Sequence, residues 1–217
     1  MPQEAFFFFV ACKTNMDNGD LRTILLASSS PRRRQLLEQI QLPFRGVEPK
    51  IEEAPVSGNV AAGVTRLAEE KVETVNAACA ANGEMPTWIL GADTLVDLVD
   101  SVIGKPKTLD EARSMLSSLS GREHRVITGI CISKGDRCIS RTAETKVVFA
   151  SLSPEEIEWY LETGEWEGVA GAYRIQGRGA CLIESIDGSF SNVMGLPIRT
   201  VYGILTELSY PFTDAKR

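Results

Sequence analysis

Ile24-Leu25-Leu26-Ala27 is a short unbroken apolar run, the pattern of a strand buried on both faces. Ser28-Ser29-Ser30-Pro31 follows at once, and beyond it Leu36, Leu37 and Ile40 supply the apolar stripe of a helix. Ser30 is placed to cap that helix and Pro31 suits its first position, so a strand, turn and helix unit is expected. From Val60 the apolar positions Val64, Leu67, Ala68, Val72, Val75 and Ala78 recur at spacings of three and four, which predicts a long amphipathic helix ended by Asn82-Gly83. Trp88-Ile89-Leu90-Gly91-Ala92 then reads as a second buried strand, delivering Asp93 and Thr94 at its carboxyl end. Thr108 with Glu111 forms a capping box for a helix reaching about Leu119, closed by Ser120-Gly121. This alternation argues α/β architecture.

Downstream, Val126 to Ser133 and Arg141 to Phe149 read as paired strands joined through Lys134-Gly135-Asp136. Ser153-Pro154-Glu155-Glu156 opens another capped helix. A glycine-dense stretch with Gly164, Gly168, Gly171, Gly177 and Gly179 leads to an expected hairpin from Cys181 to Ile186, turned by Asp187-Gly188, and a final helix follows Pro197. No internal repeat or long linker interrupts the pattern. The expectation is one α/β domain over residues 22–217, with residues 1–21 an extension outside its core.

Composition narrows the function. The chain has 217 residues, 43% apolar and 24% charged, within the range of globular proteins and outside that of disordered ones. Its net charge of −6 argues against general nucleic-acid binding, so any cationic site must be local. The segment from Ser153 to Glu167 carries six glutamates and no basic residue, which reads as a solvated helix face. Five cysteines without C-x-x-C spacing fit a reduced, cytoplasmic setting better than a disulfide framework. A single histidine, His124, excludes a His-rich zinc site, and neither a G-x-S-x-G elbow nor a G-x-x-x-x-G-K-[ST] loop occurs. The apolar run Ala5 to Cys12 is shorter than a membrane span, follows Glu4 instead of basic residues, and has Phe9 where a lipobox places Leu or Val. No membrane anchoring is expected, and residues 1–15 are expected to be dispensable, with Met16 a natural start.

Three features carry candidate chemistry. Arg32-Arg33-Arg34 stands in a first helical turn, where cations oppose the helix dipole. Either the arginines point to solvent, or they combine with free N–H groups and the serines to hold a phosphate chain. Asp93, directly after an apolar strand, lies where ligands gather in open α/β sheets, as an acid-base or metal group or as a simple turn carboxylate. Gln176, among glycines, offers an amide donor and acceptor that can read a base edge. Lys71 and Lys105 are candidate phosphate contacts, and Glu52 and Glu53 candidate oxygen ligands for a divalent cation, although each also suits solvent. His124 is read as a structural hydrogen-bonding group in preference to a catalytic one, since no nucleophile accompanies it.

Taken in order, Leu26-Ala27-Ser28-Ser29-Ser30-Pro31-Arg32-Arg33, Gly91-Ala92-Asp93-Thr94, Gly104-Lys105-Pro106, Leu119-Ser120-Gly121 with His124, Ala170-Gly171-Ala172-Tyr173, Ile175-Gln176-Gly177 and Asn192-Val193-Met194-Gly195-Leu196-Pro197 resemble the Maf family of nucleoside triphosphate pyrophosphatases over about residues 23–208. The resemblance implies a mixed, twisted sheet flanked by helices, with two lobes around a cleft, often as a homodimer. It also implies cleavage of a nucleoside triphosphate to the monophosphate and pyrophosphate with Mg²⁺ or Mn²⁺. It assigns Asp93 as proton acceptor, with Arg33, Lys71 and Lys105 neutralising the triphosphate. Ser30, Arg32 and Arg33 would bind phosphate, and Glu53 with Asp93 would contact the metal. Its specificity positions match Arg32, Thr94 and Gln176, a combination similar to the branch acting on dTTP and UTP and unlike the sister branch acting on 7-methyl-GTP. Val169 and Arg174 depart from that branch, which commonly has lysine and glycine there; Arg174 is read as replacing the lost cation.

Three activities compete at this stage. One is the pyrophosphatase; another is a nucleotide-sensing or nucleic-acid-binding regulator of septum formation and cell division; the third is a phosphatase releasing orthophosphate. The acidic balance opposes stable nucleic-acid binding, and retention of Asp93 favours turnover.

Overall fold

The computed structural model describes residues 21–52, 56, 58–98 and 101–212. Glu53 and the residues before Leu21 lie outside this set, so the expectations placed on Glu53 and on residues 1–15 fall outside the described residues. Among the described residues no helix is long and apolar enough to cross a membrane.

A mixed, open sheet runs in the order β2(Phe44–Val47), β1(Ile24–Ala27), β3(Trp88–Leu98), β5(Glu123–Lys134), β6(Arg137–Phe149), β7(Ile183–Asp187), with β4(Ser101–Ile103) also paired to β3. β1 pairs in parallel with β2 and β3, and the pairs from β3 through β7 are antiparallel. Side chains alternate between two cores, as the pleat requires. Ile24, Leu26, Trp88, Leu90, Ile130 and Ile132 face the larger core, shared with α1(Pro31–Gln39), α3(Leu109–Leu119), α4(Pro154–Leu161) and α6(Ile198–Glu207). Leu25, Ala27, Ile89 and Cys131 face α2(Val60–Ala81), whose Ala68, Val72 and Val75 cover them. Gly129 lets α2 lie close, because a Cβ there would sit 2.3 Å from the Val64 carbonyl oxygen.

Several expectations change in detail. Asp93 and Thr94 do not end a strand. β3 continues to Leu98 because β5 pairs with it from Trp88 to Asp97. Glu111 accepts from the Lys107 N–H instead of the Thr108 N–H, so α3 has the Thr108 side-chain cap but not the reciprocal box. At α4 both halves of the box form, between Ser153 and Glu156. The expected Cys181–Ile186 hairpin is absent. Arg178–Leu182 is a 3₁₀ turn, β7 pairs back to β6, and Asp187-Gly188 leads into the short helix α5(Phe190–Val193). β2 and β4, too short or too polar to show periodicity, went unanticipated.

Candidate active site

The interruption on one side of β3 creates the site. β1 ends at Ala27 opposite Gly91, and β4 takes up that side only from Val96. From Ala92 to Leu95 this edge has no strand partner among the described residues, so side chains from both faces of β3 reach one cleft of ≈ 360 Å³. That volume lies in the range of small-molecule sites, and the cleft sits beyond the carboxyl ends of parallel β1 and β2, where open α/β sheets hold ligands. Ser30, Arg32, Arg33, Lys71, Asp93, Thr94, Lys105 and Gln176 all line it.

Asp93 points toward α2, where Lys71 Nζ lies 2.6 Å from Oδ1. Both side chains are buried, and a pair this close keeps two charges under α2 that neither could carry alone at small cost. The salt bridge occupies one carboxylate oxygen and leaves the other for a proton or a cation.

Thr94 points to the opposite face. Its hydroxyl lies 3.0 Å from the Thr128 hydroxyl and accepts from Arg33 Nη2 at 3.2 Å. Arg33 also donates from Nε to the Gly195 carbonyl at 2.8 Å and from Nη1 to Ser28 Oγ at 3.0 Å. This buried guanidinium ties the β1–α1 turn, β3 and the Gly195 loop together. Its planar fork suits that task better than a lysine point charge. Asn192 anchors the same loop by donating to the Val126 carbonyl and Thr145 Oγ1.

Ser30 is at the N-cap of α1, but its hydroxyl makes no capping bond. Ser28 Oγ instead accepts from the Ser30 N–H at 3.2 Å, which folds the serine turn inward. The expected cap is thus replaced, and the Ser30 side chain does not occupy the N-terminus of α1, where an anion can bind. Arg32 lies half-buried beside them. Burial, then the charges of Arg33 and Arg174, lower its pKa to about 10. It stays cationic at neutral pH, in a field that an anion relieves. Arg34 packs its guanidinium over Gly46 and does not line the cleft.

Gln176, also in the cleft wall, has a buried Oε1 with no hydrogen-bond partner among the described residues. A buried amide oxygen left unpaired is costly and points to a ligand donor. The glycines around it serve packing more than ligand approach: a Cβ on Gly177 would meet Glu165 at 2.4 Å, and one on Gly179 the Arg174 carbonyl oxygen at 2.5 Å. Arg174 is near enough to depress the Arg32 pKa, but it donates to the Glu167 carbonyl and lies outside the cleft wall. It therefore adds positive field without lining the cleft. Val169 lines the cleft as an apolar group.

Tyr173 also lines the cleft and hydrogen-bonds His124 Nε2 at 2.9 Å. His124 is buried and outside the cleft wall, the structural role its isolation suggested. Sequence reasoning missed Glu48, which borders the cleft just after β2. Only recognition of Phe44–Val47 as a strand would have marked it. Among the described residues no group of three or more His, Cys, Asp or Glu side chains is placed to hold a metal ion. The cleft carboxylates Asp93 and Glu48 instead suit a hard cation that completes its shell with phosphate oxygens and water, as Mg²⁺ commonly does.

Comparison with known proteins shows the family. A dTTP/UTP pyrophosphatase of Symbiobacterium thermophilum is 44% identical over 192 residues, covering 88% of this chain and 96% of that protein. The dTTP/UTP pyrophosphatases of Myxococcus xanthus and Pyrococcus furiosus are 41% and 42% identical, covering 89% and 85% of this chain and 96% and 95% of theirs. The family of Maf-like proteins matches residues 23–208, a span that contains the whole sheet and its helices, and the chain belongs to that family.

Proposed function

We infer that the protein is a dTTP/UTP pyrophosphatase, hydrolysing the nucleoside triphosphate to its monophosphate and pyrophosphate. The observation that carries the reading is one cleft that holds together the α1 N-terminus with Arg32, an Asp93–Lys71 pair, and the unpaired Gln176 Oε1. Uracil and thymine present an N3–H between two carbonyls. A side-chain amide matches that edge by accepting from N3–H through Oε1 and donating to a neighbouring carbonyl. A base seated there leaves the triphosphate to run along the serine turn toward Lys105.

Within this reading Asp93 accepts a proton from the water that attacks the α-phosphorus, while Lys71 holds the carboxylate in place. Arg32, Lys105 and the α1 N–H groups take up charge on the departing pyrophosphate. Arg33 acts mainly by holding Thr94, Ser28 and Gly195 in register, since its guanidinium is directed to those groups. With the free Asp93 oxygen taken by the water's proton, Glu48 would hold Mg²⁺ or Mn²⁺ together with phosphate oxygens, and the cation would neutralise phosphate charge. A cytoplasmic homodimer without nucleic-acid partners completes the proposal, and sedimentation of the purified chain tests the assembly.

The test is a panel of dTTP, UTP, CTP, 7-methyl-GTP and the purine triphosphates with either cation, with phosphorus products identified. Pyrophosphate with dTMP or UMP is expected. Orthophosphate in its place refutes α,β cleavage, and nucleotide binding without turnover supports the regulator instead.

A further inference from the structure

Two of the cysteines meet near the closed end of the β5–β6 hairpin. The register sets Cys131 opposite Ser140 and Ser133 opposite Cys138, so Cys131 and Cys138 are diagonal neighbours on one face of the sheet. Their Sγ atoms lie 2.8 Å apart. A disulfide needs about 2.05 Å between sulfurs, a short approach for two side chains on adjacent, hydrogen-bonded strands. Access to the two differs sharply. Cys131 is fully buried under α2, among Ala68, Val72 and Val75, whereas Cys138 is exposed. Neither lines the nucleotide cleft.

We propose that Cys131 and Cys138 form a reversible intrachain disulfide, a modification site in which Cys138 reacts with a peroxide and Cys131 resolves the product. In the first step the Cys138 thiolate attacks hydrogen peroxide. An S–O bond forms, the O–O bond breaks, and hydroxide leaves, giving the sulfenic acid. In the second, Cys131 sulfur displaces hydroxide from Cys138 sulfur. The S–S bond replaces the S–O bond, and the departing hydroxide takes the Cys131 proton as water. A dithiol reductant returns both thiols by exchange. The order follows from access and acidity: burial, then the Cys138 contact, push the Cys131 thiol pKa upward, so it is not the group that meets solvent peroxide as a thiolate. Cys181 is also exposed, but it lies on the 3₁₀ turn before β7 and provides an internal comparison.

Trypsin separates the two residues, because Arg125, Lys134, Arg137 and Arg141 bracket them. The full chain is exposed to limiting hydrogen peroxide, its remaining thiols are blocked with iodoacetamide, and the digest is weighed. A species joining peptide 126–134 to peptide 138–141, two hydrogens lighter than their sum and split by dithiothreitol, is the expected result. It disappears in Cys138→Ser, whose exposed side chain leaves the core untouched. Recovery of both peptides in alkylated form while Cys181 is oxidised overturns the proposal. So does Cys138 found as sulfinic acid, or linked to another chain, with Cys131 alkylated.

Discussion

His124 gives the protein an acid limit that can be calculated. The ring is 1% exposed, packed edge-on to Phe149 and Tyr173, with Nε2 bonded to the Tyr173 hydroxyl and Nδ1 without a partner. Protonation places N–H groups on both nitrogens, and the one on Nδ1 finds no acceptor among apolar neighbours. Burial accordingly lowers the pKa from 6.5 to about 4. Between those values the unfolded chain binds a proton that the folded chain refuses, so stability rises with pH there. The contribution is whole above pH 6.5, is lost as the pH falls toward about 4, and the loss is then complete. The gap corresponds to about 3 kcal/mol, a substantial part of a typical domain's stability. The assay is urea unfolding of the wild type and His124→Gln across that pH range. Carboxylates contribute to both proteins, so the informative quantity is the difference between them, which is expected to fall by about 3 kcal/mol on acidification. Parallel curves for the two proteins, or an imidazole titrating near 6.5 by NMR in the folded state, would refute the reasoning.

Asp93→Asn keeps the shape of the side chain and an acceptor for Lys71 but removes the base, so turnover is expected to fall by about a hundred- to ten-thousand-fold with nucleotide binding retained. Near-normal kcat removes Asp93 from the proposed role. Gln176→Glu exchanges an amide donor for an acceptor and is expected to raise KM for UTP and dTTP more than it lowers the unfolding midpoint; an unchanged substrate profile counts against base reading by that amide. Gly129→Ala forces a Cβ against the Val64 carbonyl oxygen, at a cost of about 1–3 kcal/mol. Because α2 carries Lys71, turnover should drop with stability, and an unaltered urea midpoint shows that α2 can shift freely.

Periodicity made the long elements legible. The apolar run of β1, the three-and-four spacing of α2 and the apolar start of β3 each describe burial that the residues themselves demand, whatever their partners. The Ser153 cap was equally local, because one hydroxyl and one carboxylate within a single turn complete it. The family resemblance marked Ser30, Arg32, Arg33, Glu53, Lys71, Asp93, Thr94, Lys105 and Gln176 as one group, and all but Glu53, which lies outside the described residues, line the cleft. Their division of labour was not legible. Arg33 and Arg32 are chemically identical neighbours. One bonds the protein and the other is half-buried in a net positive field, a difference decided by which faces Thr94, Gly195 and Arg174 from distant segments.

Strand ends were likewise settled at a distance. Asp93 is a mid-strand residue because β5 supports β3 to Asp97, and it is accessible because β1 stops at Ala27. The same holds for the Cys131–Cys138 contact, which depends on the register of two strands, and for Gln176 Oε1, left unpaired by its surroundings. The sequence by itself determined the long elements and the chemical inventory, since propensity, periodicity and caps act within a few residues. Only the tertiary structure decided where strand pairing lapses to open a cleft and which polar atoms face it unpaired, since both depend on segments far apart along the chain.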